Sequence, residues 1–512
     1  MHPIIYISLV VLYVFVMLAI GYWCMRRTRD VSDFFLGGRS LGPWMSAFAY
    51  GTTYFSAVLF IGYAGRLGWG FGLQTMWIVL GNTFIGTLLA WLVLAGRTRD
   101  MTVRLNALTM PGFLRARYDS KPLQVISAII VFVFLVPYSA SVYMGLSYLF
   151  QSTMGLQYNE ALFFLAALTG VYLVMGGYLA VAVSDFIRGI MEFFGVLTMV
   201  LLLVRLRGGL GASFIALLDP KFMPGLHSPP PPTGPQFPGW VILVSLVLIT
   251  SFGPWALPQM VQKFYSIRSK ADVKRAMTIA TVFALFMSFG AYYSGALTHL
   301  FFIDPDTDLA PIMDGATHKP NLDLLMPFFI TSYVPQWLVL IILLMVFSAS
   351  MSSLSSLVLV SSSAIAIDIY GTFGDRDEKS KSTMILMRVM CAVFVVLSLL
   401  IAMSKVDVIV NLMVIAWGAL AGAFLAPYLY GLFWRRTTKA GAYAGMISGV
   451  GSAVGLFFLW GKALVPVAGA ISMILPLLVV PLVSLLTQPP EPETIARAFG
   501  DPRPGRPDDK KS

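Results

Sequence analysis

Charged residues are scarce in this sequence: only 12% of its 512 residues are Asp, Glu, Lys or Arg, whereas 58% are hydrophobic. Soluble domains contain about a quarter charged residues, so this scarcity excludes an ordinary soluble fold. Cysteine is almost absent. Its two copies, Cys24 and Cys391, both lie inside apolar runs, which excludes a disulfide-stabilised framework.

Motifs for catalysis are missing as well. The four histidines stand apart from one another and from any cysteine or acid, at positions 2, 227, 299 and 318. The sequence contains no nucleophile motif, no glycine-rich phosphate loop and no metal-binding histidine pair. It therefore predicts neither an enzyme nor an ATP-driven pump.

Long apolar runs are what the sequence has in abundance. Each is about 20 residues long, enough to cross the roughly 30 Å hydrocarbon layer of a bilayer as a helix. The first run has no basic residue before it and Arg26, Arg27 and Arg29 after it, which predicts an uncleaved helix with its N-terminus outside. We expect an all-α polytopic membrane protein with 13 transmembrane helices, over residues 4–25, 43–66, 70–95, 122–150, 158–181, 187–206, 238–262, 276–301, 336–369, 384–404, 407–433, 440–461 and 464–487.

The distribution of basic residues sets the expected orientation. Most of the 35 Lys and Arg residues fall in alternate segments between the apolar runs, as the positive-inside rule requires of cytoplasmic loops. This pattern places the C-terminus in the cytoplasm, and it accounts for the net charge of +11 without a nucleic-acid partner. Nothing in the sequence indicates an obligate protein partner.

Two of the expected helices carry residues that interrupt a helix in the middle of the membrane. The second combines glycine with β-branched and hydroxyl residues from Ala49 to Ser56, and the seventh has Pro254 and Pro258 within one run. A broken helix at this depth is tolerated where its freed backbone groups line a cavity. The two breaks are five helices apart, which predicts a five-plus-five inverted repeat around a central binding site.

A stripe of small polar residues runs along the ninth helix. Ala349, Ser352, Ser353 and Ser356 follow one another at helical spacing, so they share one face. Hydroxyl groups in hydrocarbon cost free energy unless they have partners. One interpretation is close helix packing, with the hydroxyls bonded to the preceding turn. The other is a site for a small hard cation, built from neutral oxygens.

Few acids lie within the apolar runs. Asp185 and Glu192 are seven residues apart on one helical face, and a carboxylate at such depth predicts a functional site or a paired core acid. Asp368, at the end of the ninth helix, is expected to be a solvated end residue. No Lys or Arg is expected deep in the membrane, so the ends of the broken helices would supply any field for an anionic group.

Several motifs in the expected order resemble the solute:sodium symporter family. They are the ninth-helix serines with Asp368 to Tyr370, the segment from Phe34 to Trp44, the Gly176-Gly177 pair followed by Asp185, and Ala416 to Arg436. The resemblance covers about residues 5–485 and implies the leucine-transporter-type fold. On that basis we divide the chain into an N-terminal extra helix and first loop (1–42), a first repeat (43–207), an outer proline-rich loop (208–237), a second repeat (238–433), two C-terminal helices (434–487) and a disordered cytoplasmic tail (488–512).

The family resemblance also implies which residues bind sodium. Carried over to this chain, one site takes the backbone carbonyls of Thr52, Phe55 and Ala349 and the hydroxyls of Ser352 and Ser353. Neutral oxygens suit an ion that has to be released again. A second sodium site found in some members would use three further residues, all present here: Asp185, Ser355 and Ser356.

The solute is less clearly indicated than the ion. Five residues flank the two breaks or lie on the helix facing them, and are the expected solute-binding residues: Tyr54, Ser56, Tyr138, Trp255 and Gln259. The proline-carrying branch of the family has an acid where this chain has Tyr54. Short segments such as Thr53 to Ser56 resemble the pantothenate branch instead.

The function expected from the resemblance is sodium-coupled symport of a small organic solute across the bilayer, in the plasma (inner) membrane of a bacterium. Two alternatives remain open at the level of sequence. One is proton coupling, with Asp185 or Glu192 as the proton carrier. The other is a membrane sensor on a transporter scaffold, although the segment after residue 487 is too short for a folded signalling domain.

Overall fold

The computed structural model describes residues 3–25, 39–227, 235–303, 308–313, 319–374 and 381–500. Within these ranges the regular structure is helical, apart from two isolated backbone bridges. The first half of the chain forms α1 (Pro3–Met25), α2 (Pro43–Tyr54), α3 (Val58–Tyr63 continued by Ala64–Phe71), α4 (the segments Met76–Leu80, Gly81–Leu89, Trp91–Ala95 and Gly96–Arg104), α5 (Met110–Tyr118), α6 (Lys121–Met154), α7 (Tyr158–Leu206) and α8 (Leu210–Ala216).

The second half of the chain is also helical throughout the described ranges. It forms α9 (Gly239–Phe252), α10 (Pro258–Ser266), α11 (Lys270–Phe301), α12 (Leu325–Tyr333), α13 (Gln336–Ser363 continued by Ala364–Tyr370), α14 (Lys381–Ser404), α15 (Ile409–Phe433), α16 (Lys439–Trp460), α17 (Val465–Leu486) and α18 (Pro492–Phe499). Ten helical segments in the described chain are long and apolar enough to cross a membrane, and the shorter apolar segment Ile7–Trp23 lies within α1.

The first predicted break is present between α2 and α3. Phe55 has an extended backbone, with φ −109° and ψ 115°, and its N–H bonds the Gly51 carbonyl to close the last turn of α2. Helical geometry resumes at Val58, whose N–H donates to Ser56 Oγ at 3.2 Å. The break exposes the C-terminal end of α2 in the interior of the protein.

The second predicted break is present between α9 and α10. A short 3₁₀ turn over Gly253–Trp255 follows α9, Leu257 is extended, and α10 starts at Pro258. Proline suits the first position of a helix, where its missing N–H costs nothing. Gly253 leaves room for the Trp417 ring, because a Cβ there would lie 2.5 Å from a ring carbon.

The structure differs from the sequence prediction between residues 158 and 206. We expected two helices joined at 182–188, but the backbone is helical throughout α7, which has 49 residues. Two contacts show that the helix is nevertheless bent. Thr169 contacts Met351 Sδ at 3.6 Å, and Asp185 contacts Ser352, which is the next residue after Met351 on α13. Sixteen residues of straight helix would separate these two points by about 24 Å. The Gly176-Gly177 pair lies between them, and glycine pairs are common kink positions.

The C-terminal segment also differs from its prediction. Residues 488–512 were expected to be disordered, but α18 forms within them and packs against α5. Phe499 holds α18 in place, with the guanidinium groups of Arg117 and Arg435 about 5 Å from its ring. Residues 501–512 lie outside the described chain, as do residues 34–38 of the N-terminal motif and residues 228–234 of the proline-rich loop.

Candidate functional site

The C-terminal end of α2 is the centre of the candidate ion site. The last carbonyls of a helix have no partner within it and carry the negative end of the helix dipole. Here the Thr52 and Thr53 carbonyls both accept from the Ser353 hydroxyl of α13, at 3.3 and 3.1 Å. The broken helix and the serine stripe therefore meet directly.

A second serine strengthens the same contact. Ser352 Oγ donates to Thr52 Oγ1 at 2.8 Å, and Ser350 Oγ accepts from the backbone N–H of Ala57, just beyond the break, at 3.2 Å. Ala349 lies one turn before Ser353 on α13 and is fully buried. The structure thus joins Thr52 directly to Ser352 and Ser353, and it places Phe55 and Ala349 on the chain segments that flank this contact.

The oxygens gathered here are neutral. No group of three or more His, Cys, Asp or Glu side chains occurs in the described ranges of the chain. Carbonyl and hydroxyl oxygens are hard donors that suit alkali and alkaline-earth cations rather than transition metals. A set without several carboxylates favours a monovalent ion, because divalent ions require more compensating charge.

The residues expected for a second ion site, unlike the neutral oxygens at the end of α2, include charged groups and lie close to basic side chains. Ser355 Oγ donates to the Met351 carbonyl of its own helix at 2.6 Å. Ser356 Oγ lies 3.1 Å from Thr53 Oγ1 and also 3.1 Å from the ammonium of Lys263, which donates to it. Asp185 Oδ1 is paired with Arg188 Nη1 at 3.4 Å, and both side chains are fully buried.

Lys263 overturns the expectation that no basic side chain lies deep in the protein. It is 0% exposed, and so is Arg188. The seventh helix was predicted to end at residue 262, which left Lys263 in the basic segment that follows, but α10 continues to Ser266 and stays buried. The available signal was the position of Lys263 only five residues after Pro258.

Two further acids are buried. Glu192 is fully enclosed, and neither carboxylate oxygen has a hydrogen-bond partner within the described residues. Asp368 was expected to be solvated, and this was wrong: it is 0% exposed and accepts from Thr109 Oγ1 at 2.6 Å and from Gln124 Nε2 at 2.8 Å. Asp368 therefore ties the end of α13 to the start of α5 and to α6.

A small cavity of about 20 Å³ lies beside the first break. Tyr54 connects the two broken helices across it, because its hydroxyl donates to the Thr250 carbonyl near the end of α9. The Tyr54 ring also stacks on Trp417 of α15, with ring centroids 6.1 Å apart. None of the lining residues is Asp, Glu, Lys, Arg or His: they are Tyr54, Phe55, Ser56, Val58, Leu59, Tyr63, Asn82, Thr250, Tyr292, Met413 and Trp417.

Only part of the expected solute-binding set lines this cavity. Tyr54 and Ser56 do. Tyr138 stands behind the wall, with its ring edge-on to Trp417 at 5.8 Å. Trp255 donates through Nε1 to the Ile85 carbonyl at 2.9 Å, and Gln259 is buried outside the cavity lining.

Several residues of the cavity lining were not predicted from the sequence. Asn82 and Tyr63 are the most polar of these, and neither Asn82 Oδ1 nor the Tyr63 hydroxyl has a hydrogen-bond partner among the described residues. An amide inside an apolar run was a usable signal for Asn82. Tyr292 and Met413 look like ordinary core residues in the sequence, and only the tertiary arrangement brings them here.

Comparison with known proteins identifies the class. The sequence profile of the sodium:solute symporter family matches residues 34–449. The high-affinity proline transporter of Bacillus subtilis is 29% identical over 503 residues, covering 95% of this chain and 98% of that protein. The sodium/proline symporter of Haemophilus influenzae is 32% identical over 448 residues, covering 86% and 85%.

The fold has a counterpart among solved structures. A sodium-coupled sialic acid symporter, in its substrate-bound outward-open state, aligns with a TM-score of 0.77 at 18% identity, over 95% of this chain and 98% of that one. The fold is therefore that of a leucine-transporter-type secondary transporter. The chain belongs to the sodium:solute symporter family, whose activity is sodium-coupled symport of a solute across the membrane.

The contact between α2 and α13 yields a first prediction. Ser353→Ala removes one neutral oxygen and the hydroxyl that bonds two carbonyls of α2, so we expect the sodium concentration for half-maximal uptake to rise about tenfold, equivalent to about 1.4 kcal/mol. Ser352→Ala should act in the same direction. The measurement is initial uptake rate against sodium concentration in proteoliposomes.

The matched control is Ser362→Ala, on the same helix. Its hydroxyl donates to the Leu359 carbonyl of its own helix at 3.0 Å, so its removal should leave the sodium dependence unchanged. Unaltered sodium dependence in both Ser352→Ala and Ser353→Ala would contradict the role assigned to this contact.

Proposed function

We propose that the chain couples inward movement of one small zwitterionic solute, with proline as the first candidate, to inward movement of sodium. The observation that carries the proposal is the junction of the α2 carbonyl end with Ser352 and Ser353, directly beside a cavity without charged lining residues. The proposed sodium ligands are the carbonyls of Thr52, Phe55 and Ala349 and the hydroxyls of Ser352 and Ser353.

Phe55 links the two ligands. Its carbonyl is a proposed sodium ligand, while the same residue lines the cavity. A bound ion fixes the extended backbone at Phe55 and so shapes one wall of the solute site. Each ligand then tightens the other by the same factor, because coupling between binding sites is reciprocal.

The polarity of the cavity favours a zwitterion. The N-terminal end of α3 is electropositive and suits a carboxylate, whereas the C-terminal ends of α2 and α9 are electronegative and suit an ammonium. The lining contains no ionised side chain that could balance a net charge on the solute. The proline carriers among the relatives support proline as the first solute to test.

Pantothenate is the second solute to test. Tyr54 stands where the proline-carrying branch has an acid, and the segment Thr53 to Ser56 resembles the pantothenate branch. Pantothenate carries a carboxylate without an ammonium, so the electronegative ends of α2 and α9 would have no cation to bind. This difference ranks it below proline.

The topology that fits this function has 13 spans in a bacterial plasma membrane, with the N-terminus outside and the C-terminus inside. The stretch Val58–Arg104 is about 70 Å long as a helix, enough for two crossings, and Gly72 interrupts it with φ +51°. The part of α7 before Val181 and the apolar part of α1 supply the other two crossings beyond the ten apolar segments. The five-plus-five repeat then begins at α2 and α9.

Proton coupling is the second candidate function. It rests on Glu192, whose buried carboxylate has no hydrogen-bond partner within the described chain. Such a group at membrane depth is typical of proton-carrying sites. In this alternative, an imposed proton gradient drives uptake in the absence of sodium.

Uptake in proteoliposomes separates these candidates. We expect proline accumulation when a sodium gradient is imposed, and none with a proton gradient alone. Pantothenate, a sugar and an acidic amino acid serve as comparison solutes. Accumulation driven by a proton gradient without sodium would contradict the proposal and favour Glu192 as the proton carrier. Sodium-driven uptake of pantothenate but not of proline would show that pantothenate, and not proline, is the solute.

A single amide tests the cavity. Asn82→Ala should raise the KM for the solute about tenfold while leaving the sodium dependence within about twofold, because Asn82 lines the cavity but lies on α4, outside the proposed ion site. Asn411→Ala is the matched control. The Asn411 side chain does not line the cavity, and its amide donates to Asp407 Oδ1 at a distance of 3.1 Å. Equal effects of the two substitutions would show that the cavity is not the solute site.

A further inference from the structure

Lys263 occupies an unusual position for a basic residue. It lies on α10, the second half of the second broken helix, and its side chain is fully buried. Its ammonium donates to Ser356 Oγ at 3.1 Å, and Ser356 in turn lies 3.1 Å from Thr53 Oγ1 at the end of α2. A positive charge is therefore fixed one turn along α13 from Ser352 and Ser353.

Lys263 belongs to a group of four buried charged residues. Asp185 and Glu192 of α7 are the acids, and Arg188 and Lys263 are the bases; all four side chains are 0% exposed. Arg188 is bonded to Asp185 and to the Tyr13 hydroxyl of α1, whereas Lys263 is bonded to Ser356 of α13 and interacts electrostatically with Asp185. The formal charges of these four residues sum to zero.

A second sodium ion would compete with this ammonium. The oxygens available for such an ion are Asp185 and the Ser356 hydroxyl, and Ser356 already accepts a hydrogen bond from Lys263. Two cations within a few ångströms of each other in a medium of low dielectric repel strongly. Burying a further charge in a set that is already neutral carries the full desolvation cost without compensating attraction.

We propose that the ammonium of Lys263 is a tethered cation that takes the place of a second sodium ion between Asp185 and Ser356, so that this chain couples one sodium to each solute. This inference rests on the proposed symport function and deepens it by assigning its stoichiometry. Lys263 sets the number of sodium ions that bind, and it does not line the solute cavity.

The same arrangement ties the ion set to the second broken helix. α10 carries Lys263, whereas α7 and α13 carry the groups around it. The tethered ammonium therefore holds α10 against the α2–α13 junction throughout the cycle, a contact that a diffusible ion would make and break. The remaining sodium, at Thr52, Ser352 and Ser353, is the ion whose arrival and loss changes the structure.

The test is the number of sodium ions bound per protein, measured by equilibrium binding of radioactive sodium to the purified full-length chain. Wild type should bind one ion. Lys263→Met removes the charge but keeps a stem of similar length, leaving the set with one excess negative charge, and should bind two. Lys263→Met combined with Asp185→Asn should return to one, and Lys263→Arg, which keeps the charge, should remain at one.

A second neutral variant protects the test against misfolding. Lys263→Gln keeps a donor for Ser356, and its binding should also rise to two ions. In proteoliposomes the reversal potential of wild type should report one sodium per zwitterionic solute, a measurement that needs no variant. Two ions bound by wild type, or one ion in both Lys263→Met and Lys263→Gln, would overturn the tethered cation while leaving symport in place. Absence of any sodium binding to wild type would instead contradict the proposed function itself.

Discussion

The structure depends on the end of one helix in the middle of the protein. α2 stops at Tyr54, and the Thr52 and Thr53 carbonyls have no partner within the helix, a cost that would be prohibitive in hydrocarbon without a substitute. Ser353 of α13 provides it by donating to two of these carbonyls, and Ser352 adds a third bond through the Thr52 hydroxyl. A cation with several neutral ligands would satisfy the same oxygens more completely, which is why we propose an ion site at this helix end.

This junction explains how ion and solute can act on one another. The residues after Tyr54 leave the helix and form a wall of the cavity, while the residues before it meet α13. Tyr54 itself reaches the Thr250 carbonyl of the other broken helix. In the proposed mechanism, an ion that favours one arrangement of α2 and α13 by tenfold shifts their equilibrium by about 1.4 kcal/mol, and the solute responds to this shift through Phe55 and Ser56.

Sequence predicted the parts of this arrangement that have a local cause. Glycine and proline marked both breaks, and helical spacing put Ser352 and Ser353 on one face. That these two elements meet was implied by the family resemblance and not by short-range rules. Lys263, Asp368 and the cavity residues Tyr292 and Met413 did not follow. A lysine at the end of an apolar run looks like a loop residue, and only the tertiary packing of α10 against α7 and α13 shows that its ammonium is enclosed. The loop predicted at residues 182–188 was wrong, because a helix that continues through a polar stretch is not distinguished from a loop by hydropathy.

The central claim is that sodium binds where α2 meets α13 and holds them together. Hydrogen–deuterium exchange, compared in sodium and in potassium at equal ionic strength, tests it most directly. Sodium should slow amide exchange in the segments around Thr52 to Leu59 and Ala349 to Ser356 in wild type, and this protection should be lost in a Ser352→Ala, Ser353→Ala double variant. Equal exchange in the two salts at both segments, or sodium protection that survives the double substitution, would contradict the account.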